Sequence, residues 1–117
     1  MTPKQYKKEC LRTENVDLFN ENISYGGIRL LHAALGMVTE ASEFADILKK
    51  GLFYGREIDQ VHAKKELGDI LWYIAIACDV FETSFEELFT LNITKLRARY
   101  PDKFTAERAN NRAEGDI

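Results

Sequence analysis

Cysteine is scarce: Cys10 and Cys78 are the only two in 117 residues, and no CxxC pair occurs. That usage suits a reduced, cytoplasmic protein better than a disulfide scaffold. Long apolar runs are missing too. The longest uncharged one, Ile70 to Cys78, is half the ~18 residues needed to cross a membrane. The opening MTPKQYKKEC lacks the apolar segment of a signal peptide, so no membrane partner is expected. Basic residues are not in excess. Sixteen Lys and Arg against 19 Asp and Glu leave a net charge of -3, which argues against a broad nucleic-acid binder. Proline occurs twice and β-branched residues are sparse, a balance that leans toward helices. Gly26-Gly27 is not followed by GK[ST], so P-loop chemistry is excluded. No Glu-x-x-His pair occurs, and His32 and His62 read as lying outside the register of the glutamate pairs; a di-iron carboxylate bundle needs such pairs.

What remains is ordinary globular composition, 45% hydrophobic and 30% charged. The length gives a single domain over residues 1–117, with a core of about 28–100 and a polar tail, extended or bound to a partner. A short first helix is expected over Thr2 to Thr13, with Pro3 in its first turn. Asn20 to Gly27 reads as a loop. A second helix should run from about Ile28 to Lys50, with a core face of Leu30, Ala34, Met37, Ala41, Phe44, Ala45 and Leu48. His32, Gly36, Glu40, Glu43, Asp46 and Lys50 fall on the other side. Gly51 and Gly55 bracket a loop, GLFYGREID. A third helix should span Asp59 to Phe81, with Asp59 as N-cap. A fourth should begin at Ser84, where SFEE forms a capping box, and end before Pro101. Four helices with short connections give an all-α, bundle-like fold.

Two carboxylate pairs stand out: Glu40-Ala-Ser-Glu43 and Glu66-Leu-Gly-Asp69. Residues three apart share a helix face, so each pair presents two carboxylates side by side. Glu66 and Asp69 lead into an apolar stripe of Tyr73, Ile76 and Val80, which sets them at the rim of the core. Glu40, Glu43 and Asp46 also fit a solvated face balanced by Lys49 and Lys50. Four hard oxygen ligands on two facing helices suit Mg²⁺ or Mn²⁺. On the fourth helix Asn92, Lys95 and Arg99 fall within the apolar stripe of Phe85, Leu88, Phe89 and Leu96. Lysine and arginine rarely enter a core unpaired. They would either pair with the carboxylates or bind a polyphosphate, for which arginine offers a fork and lysine a point charge. The combination suits metal-assisted hydrolysis of a phosphoanhydride.

The ordered pattern EASE (40–43), KKELGDILWYIA (64–75) and NITKLRARYPDKF (92–104) resembles the MazG-like all-α nucleotide pyrophosphohydrolases over roughly residues 28–112. Twenty-two residues separate Glu43 from Glu66, which fits the family's ExxE, gap, ExxD order. The resemblance implies cleavage of a nucleoside triphosphate between its α and β phosphates, giving a monophosphate and pyrophosphate in nucleotide-pool house-cleaning. It implies Glu40, Glu43, Glu66 and Asp69 as Mg²⁺ ligands, and Glu43 as the residue that orients or deprotonates the attacking water. It implies Asn92, Lys95 and Arg99 as substrate-binding residues. Members are homodimers or homotetramers with sites near subunit interfaces. His32 lies on the Glu43 stripe and reads either as a base or ribose contact or as a surface histidine. Lys50 stands where some relatives that handle pyrimidines carry Trp, so no dCTP-type preference is implied. Tyr54 and Tyr100 read as stacking or packing residues. A specialised relative acting on phosphoribosyl-ATP or dUTP, and a non-catalytic helical oligomerisation module, are the alternatives.

Overall fold

Helices begin where a short polar side chain can take up a free backbone amide, and each helix among the described residues starts that way. The computed structural model describes residues 1–17 and 23–117. It contains α1 (Pro3–Thr13), α2 (Tyr25–Phe53), α3 (Gln60–Val80), α4 (Phe85–Arg99) and α5 (Ala106–Asn110), with no strand among the described residues. Thr2, Ser24, Asp59, Ser84 and Thr105 are the N-caps, accepting from the amides of Gln5, Gly27, His62, Glu87 and Arg108. At α1 Thr2 and Gln5 close a full capping box. At α4 only half of the expected box forms. Ser84 Oγ accepts the Glu87 amide at 3.1 Å, while the Glu87 carboxylate accepts the Thr83 hydroxyl instead of reaching back.

The all-α expectation holds, and α3 and α4 begin and end where the caps and Pro101 put them. The second helix is longer than expected at both ends. Of the loop expected over Asn20–Gly27, Asn20 to Asn22 lie outside the described residues, and Tyr25 to Gly27 are helical behind the Ser24 cap. At the other end the helix continues through Gly51 to Phe53. The break comes at Gly55, whose φ of 69° is the left-handed turn that glycine makes at least cost. There the amides of Tyr54 and Arg56 both donate to the Lys50 carbonyl, each at 3.2 Å.

Among the described residues α2 and α3 form the one closely packed pair of helices. They run antiparallel: Arg29, near the start of α2, pairs with Asp79, near the end of α3, at 2.7 Å. Among the described residues Ala33, Gly36, Ala63, Glu66 and Cys78 are the buried ones, and no large side chain is fully buried. The face that α2 turns to α3 is shifted from the one its apolar periodicity indicates: Leu30, Met37, Phe44 and Leu48 of that face are half-buried, but its alanines are not. Ala34, Ala41 and Ala45 are exposed, whereas Gly36 is buried and Glu40 half-buried. The cause is at Gly36, where a Cβ would overlap the Tyr73 ring. Only glycine lets that ring approach the helix, and its approach turns Gly36 and Glu40 toward α3.

The segment after α4, expected to be extended or partner-bound, instead folds back. It forms α5 and then brings Asp116 onto Arg99, which donates to it through Nε at 2.8 Å and Nη2 at 2.7 Å. No helix among the described residues is long and apolar enough to cross a membrane.

Candidate metal centre

The rotation of α2 places Glu40 and Glu43 opposite Glu66 of α3. Carboxyl oxygens of the three residues lie within 4.8 Å of one another. Their environments differ. Glu66 is 5% exposed, Glu40 is half-buried and Glu43 is exposed. Glu66 Oε1 is 2.9 Å from His62 Nε2, one turn earlier on α3. Its other oxygen, Oε2, is buried with no hydrogen-bond partner. A buried carboxylate oxygen without a donor is costly, and either a proton or a cation relieves the cost.

Without a cation, the proton is held at Glu40. Its carboxyl pKa is raised to about 7, first by the closeness of the Glu66 carboxylate, which favours a proton on Glu40, then by desolvation and by the charges of Glu43, Glu66 and Asp69. The pKa of Glu66 is lowered, first by that same closeness to Glu40 and also by His62. Close carboxylates competing for one proton are the expected result of like charges on facing helices. This is the donor set that a hard divalent cation would satisfy: oxygen ligands only, one of them buried and unpartnered.

Asp69 is exposed and lines a cavity of about 340 Å³ with Glu40, Trp72 and Tyr73. It therefore adjoins the trio on its Glu40 side. On the other side Glu43 and His62 open onto a cavity of about 520 Å³, shared with Asp46, Lys50, Arg56 and Asp59. Asp46 pairs with Lys50 at 2.7 Å and with Lys49 at 3.4 Å, so it is a balanced surface charge, and its pKa is lowered by those lysines.

The basic stripe of α4 is not brought to the carboxylates. Among the described residues no salt bridge joins Lys95 or Arg99 to Glu40, Glu43, Glu66 or Asp69. Arg99 is committed to Asp116, while Asn92 and Lys95 are exposed. Of the expected inward stripe of α4, Arg99 is sheltered, but by pairing with the chain's own C-terminal segment, while Phe89, Asn92 and Lys95 are exposed. His32 stands edge-on to Tyr73 at 5.7 Å. Tyr100 packs on Phe104 at 5.3 Å with the Arg99 guanidinium 6.0 Å from its ring, and Lys49 lies over the Tyr54 ring at 5.8 Å.

The expectation that His62 lies outside the register of the carboxylate pairs is corrected: it reaches Glu66 at 2.9 Å. Its spacing of four from Glu66 was the available signal, because i and i+4 side chains meet on a helix.

Residues 30–104 match the family model of the MazG nucleotide pyrophosphohydrolase domain. That span contains both glutamate pairs and all of α4. Comparison with curated proteins gave no match, and comparison with solved structures gave none.

Proposed function

Because the chain belongs to the MazG nucleotide pyrophosphohydrolase family, we propose that it hydrolyses a nucleoside triphosphate, canonical or modified, between the α and β phosphates. The products are a nucleoside monophosphate and pyrophosphate, and the physiological purpose is control of the nucleotide pool. The observation that carries this reading is the trio Glu40, Glu43 and Glu66, with an unpartnered buried oxygen on Glu66. Together with Asp69 these residues would hold Mg²⁺ or Mn²⁺. When bound, such a cation supplies charge neutralisation of the phosphates and acidifies the attacking water.

The three glutamates divide the work by their surroundings. Glu66 is fixed by His62 and burial, so it is the anchor. Glu40 holds the shared proton and releases it when positive charge arrives. Glu43 is exposed at the mouth of the neighbouring cavity, which suits it to orient and deprotonate water. Lys95 and Arg99 are assigned to the phosphates, where they would stabilise charge on the departing pyrophosphate, and Asn92 to the substrate beside them. A homodimer or homotetramer would bring α4 of one copy to the carboxylates of another and cover the exposed apolar faces.

The test is a screen of purified protein against canonical and modified nucleoside triphosphates with Mg²⁺ or Mn²⁺, scoring pyrophosphate against orthophosphate. Pyrophosphate and the monophosphate are expected in equal amounts, and turnover stops with EDTA. Orthophosphate as the first product refutes cleavage between the α and β phosphates. No turnover of any nucleotide supports a helical module without catalysis.

A further inference from the structure

A cavity of about 540 Å³ lies between the C-terminal half of α4 and the segment that follows it. Its size falls within the roughly 300–1,000 Å³ of small-ligand sites. Lys95, Arg99, Arg108 and Arg112 line it, against Glu114 and Asp116. The wall is therefore basic in a chain whose net charge is -3. Cations gathered around a concavity focus positive potential there, and of the two carboxylates that line it Asp116 is the one paired with a cation. The Arg99 fork holds both carboxylate oxygens of Asp116 at 2.8 and 2.7 Å, with the two side chains only 10% and 16% exposed.

One carboxylate does not satisfy the set. Among the described residues no salt bridge reaches Lys95, Arg108 or Arg112. Lys95 and Arg112 nonetheless stand close enough to Asp116 for their charges, after that of Arg99, to lower its pKa. A guanidinium fork that takes two carboxylate oxygens takes two phosphate oxygens in the same geometry.

We propose that this cavity binds a pyrophosphoryl group, that Asp116 is its internal occupant, and that Arg112 is a phosphate contact in addition to Lys95 and Arg99. Docking of the segment and binding of the group then compete for the Arg99 fork. The identity of the group rests on the proposed hydrolysis; the anion site does not.

The experiment is calorimetric titration of the full chain with inorganic pyrophosphate in EDTA, where no divalent cation occupies the carboxylates and no hydrolysis occurs. Asp116→Asn is expected to bind pyrophosphate at least tenfold more tightly than the wild type, and Arg112→Ala at least fivefold more weakly. Asp116→Glu, which restores the charge, is expected to return toward wild-type affinity. In the wild type, the Asp116 carboxyl carbon resonance should move toward that of free aspartate as pyrophosphate is added, a readout that does not depend on any variant folding. Equal or weaker binding by Asp116→Asn, or an Asp116 resonance that stays fixed while pyrophosphate binds, overturns the proposal. A chain that binds pyrophosphate this way but hydrolyses no nucleotide keeps the anion site and loses only the hydrolytic reading.

Discussion

At Glu66 the chain accepts a buried carboxylate, which persists only when its oxygens find partners. One oxygen has His62 at 2.9 Å and the other has none. We infer a positioning role for His62, which would fix the direction of the anchoring ligand. His62→Ala is expected to weaken divalent-cation binding by roughly 10–100-fold, the usual cost of losing a partner that orients a metal ligand, with helicity retained. Cation titration followed by calorimetry and circular dichroism checks this, and an unchanged affinity removes His62 from the site. Lys95→Ala is expected to raise KM for the triphosphate more than it lowers kcat; steady-state kinetics unchanged in both would remove Lys95 from the site. The carboxylate spacing was legible in the sequence because ExxE and ExxD each occupy one helix face. The pairing of His62 with Glu66 is equally local, yet a Glu-x-x-His pattern does not reveal it: the order here is reversed and the spacing is four, with three residues between the partners.

The elements were legible wherever a cap or a breaker marks them: Thr2 with Pro3, Asp59, Ser84, Pro101. The rotation of α2 was not. Apolar periodicity assumes that the widest apolar stripe faces inward, whereas α2 meets α3 through Ala33 and Gly36 and leaves Ala34, Ala41 and Ala45 outside. A contact between one glycine and one tyrosine ring across two helices leaves no periodic signal. Gly36→Ala tests this directly. Helix propensity alone favours alanine over glycine by about 1 kcal/mol, but the added Cβ would overlap the Tyr73 ring, and such overpacking costs about 1–3 kcal/mol. A lower Tm is expected, and a raised Tm would mean that the helices do not meet there. The docking of the C-terminal segment was likewise invisible, because Arg99 and Asp116 are 17 residues apart. Arg99 lowers the Asp116 pKa below its ordinary 3.8. A lowered pKa contributes stability above the ordinary value, and that stability is lost as pH falls through the docked one. Amide exchange in residues 111–117 should therefore be slower in the wild type than in Asp116→Asn at pH 6, and the two should converge well below pH 3.8. No difference at pH 6 would show that the pair does not hold the segment.

The whole molecule is open. Its radius of gyration is 20.1 Å, against roughly 13 Å for a compact domain of this length. Leu31, Leu35 and Val38 on α2 and Leu71 and Trp72 on α3 are each more than half exposed. Apolar stripes of that extent mark an interaction surface, and a second copy of the chain is the occupant the account expects. Sedimentation should give a mass at least twice 13.5 kDa; an active monomer contradicts it. The all-α architecture could be read from one chain because it depends on local pattern. The expected facing of the basic stripe and the carboxylates is not found within one chain: among the described residues α2 packs on α3, while Arg99 of α4 pairs with Asp116 of the segment that follows it. The central claim is that the carboxylates between α2 and α3 hold the cation on which nucleotide hydrolysis depends. The most direct measurement is Mg²⁺-dependent release of pyrophosphate by Glu66→Gln beside the wild type, with helicity of both recorded by circular dichroism. The account predicts that turnover falls to background in the variant while helicity is unchanged; wild-type turnover at the same Mg²⁺ concentration would contradict it.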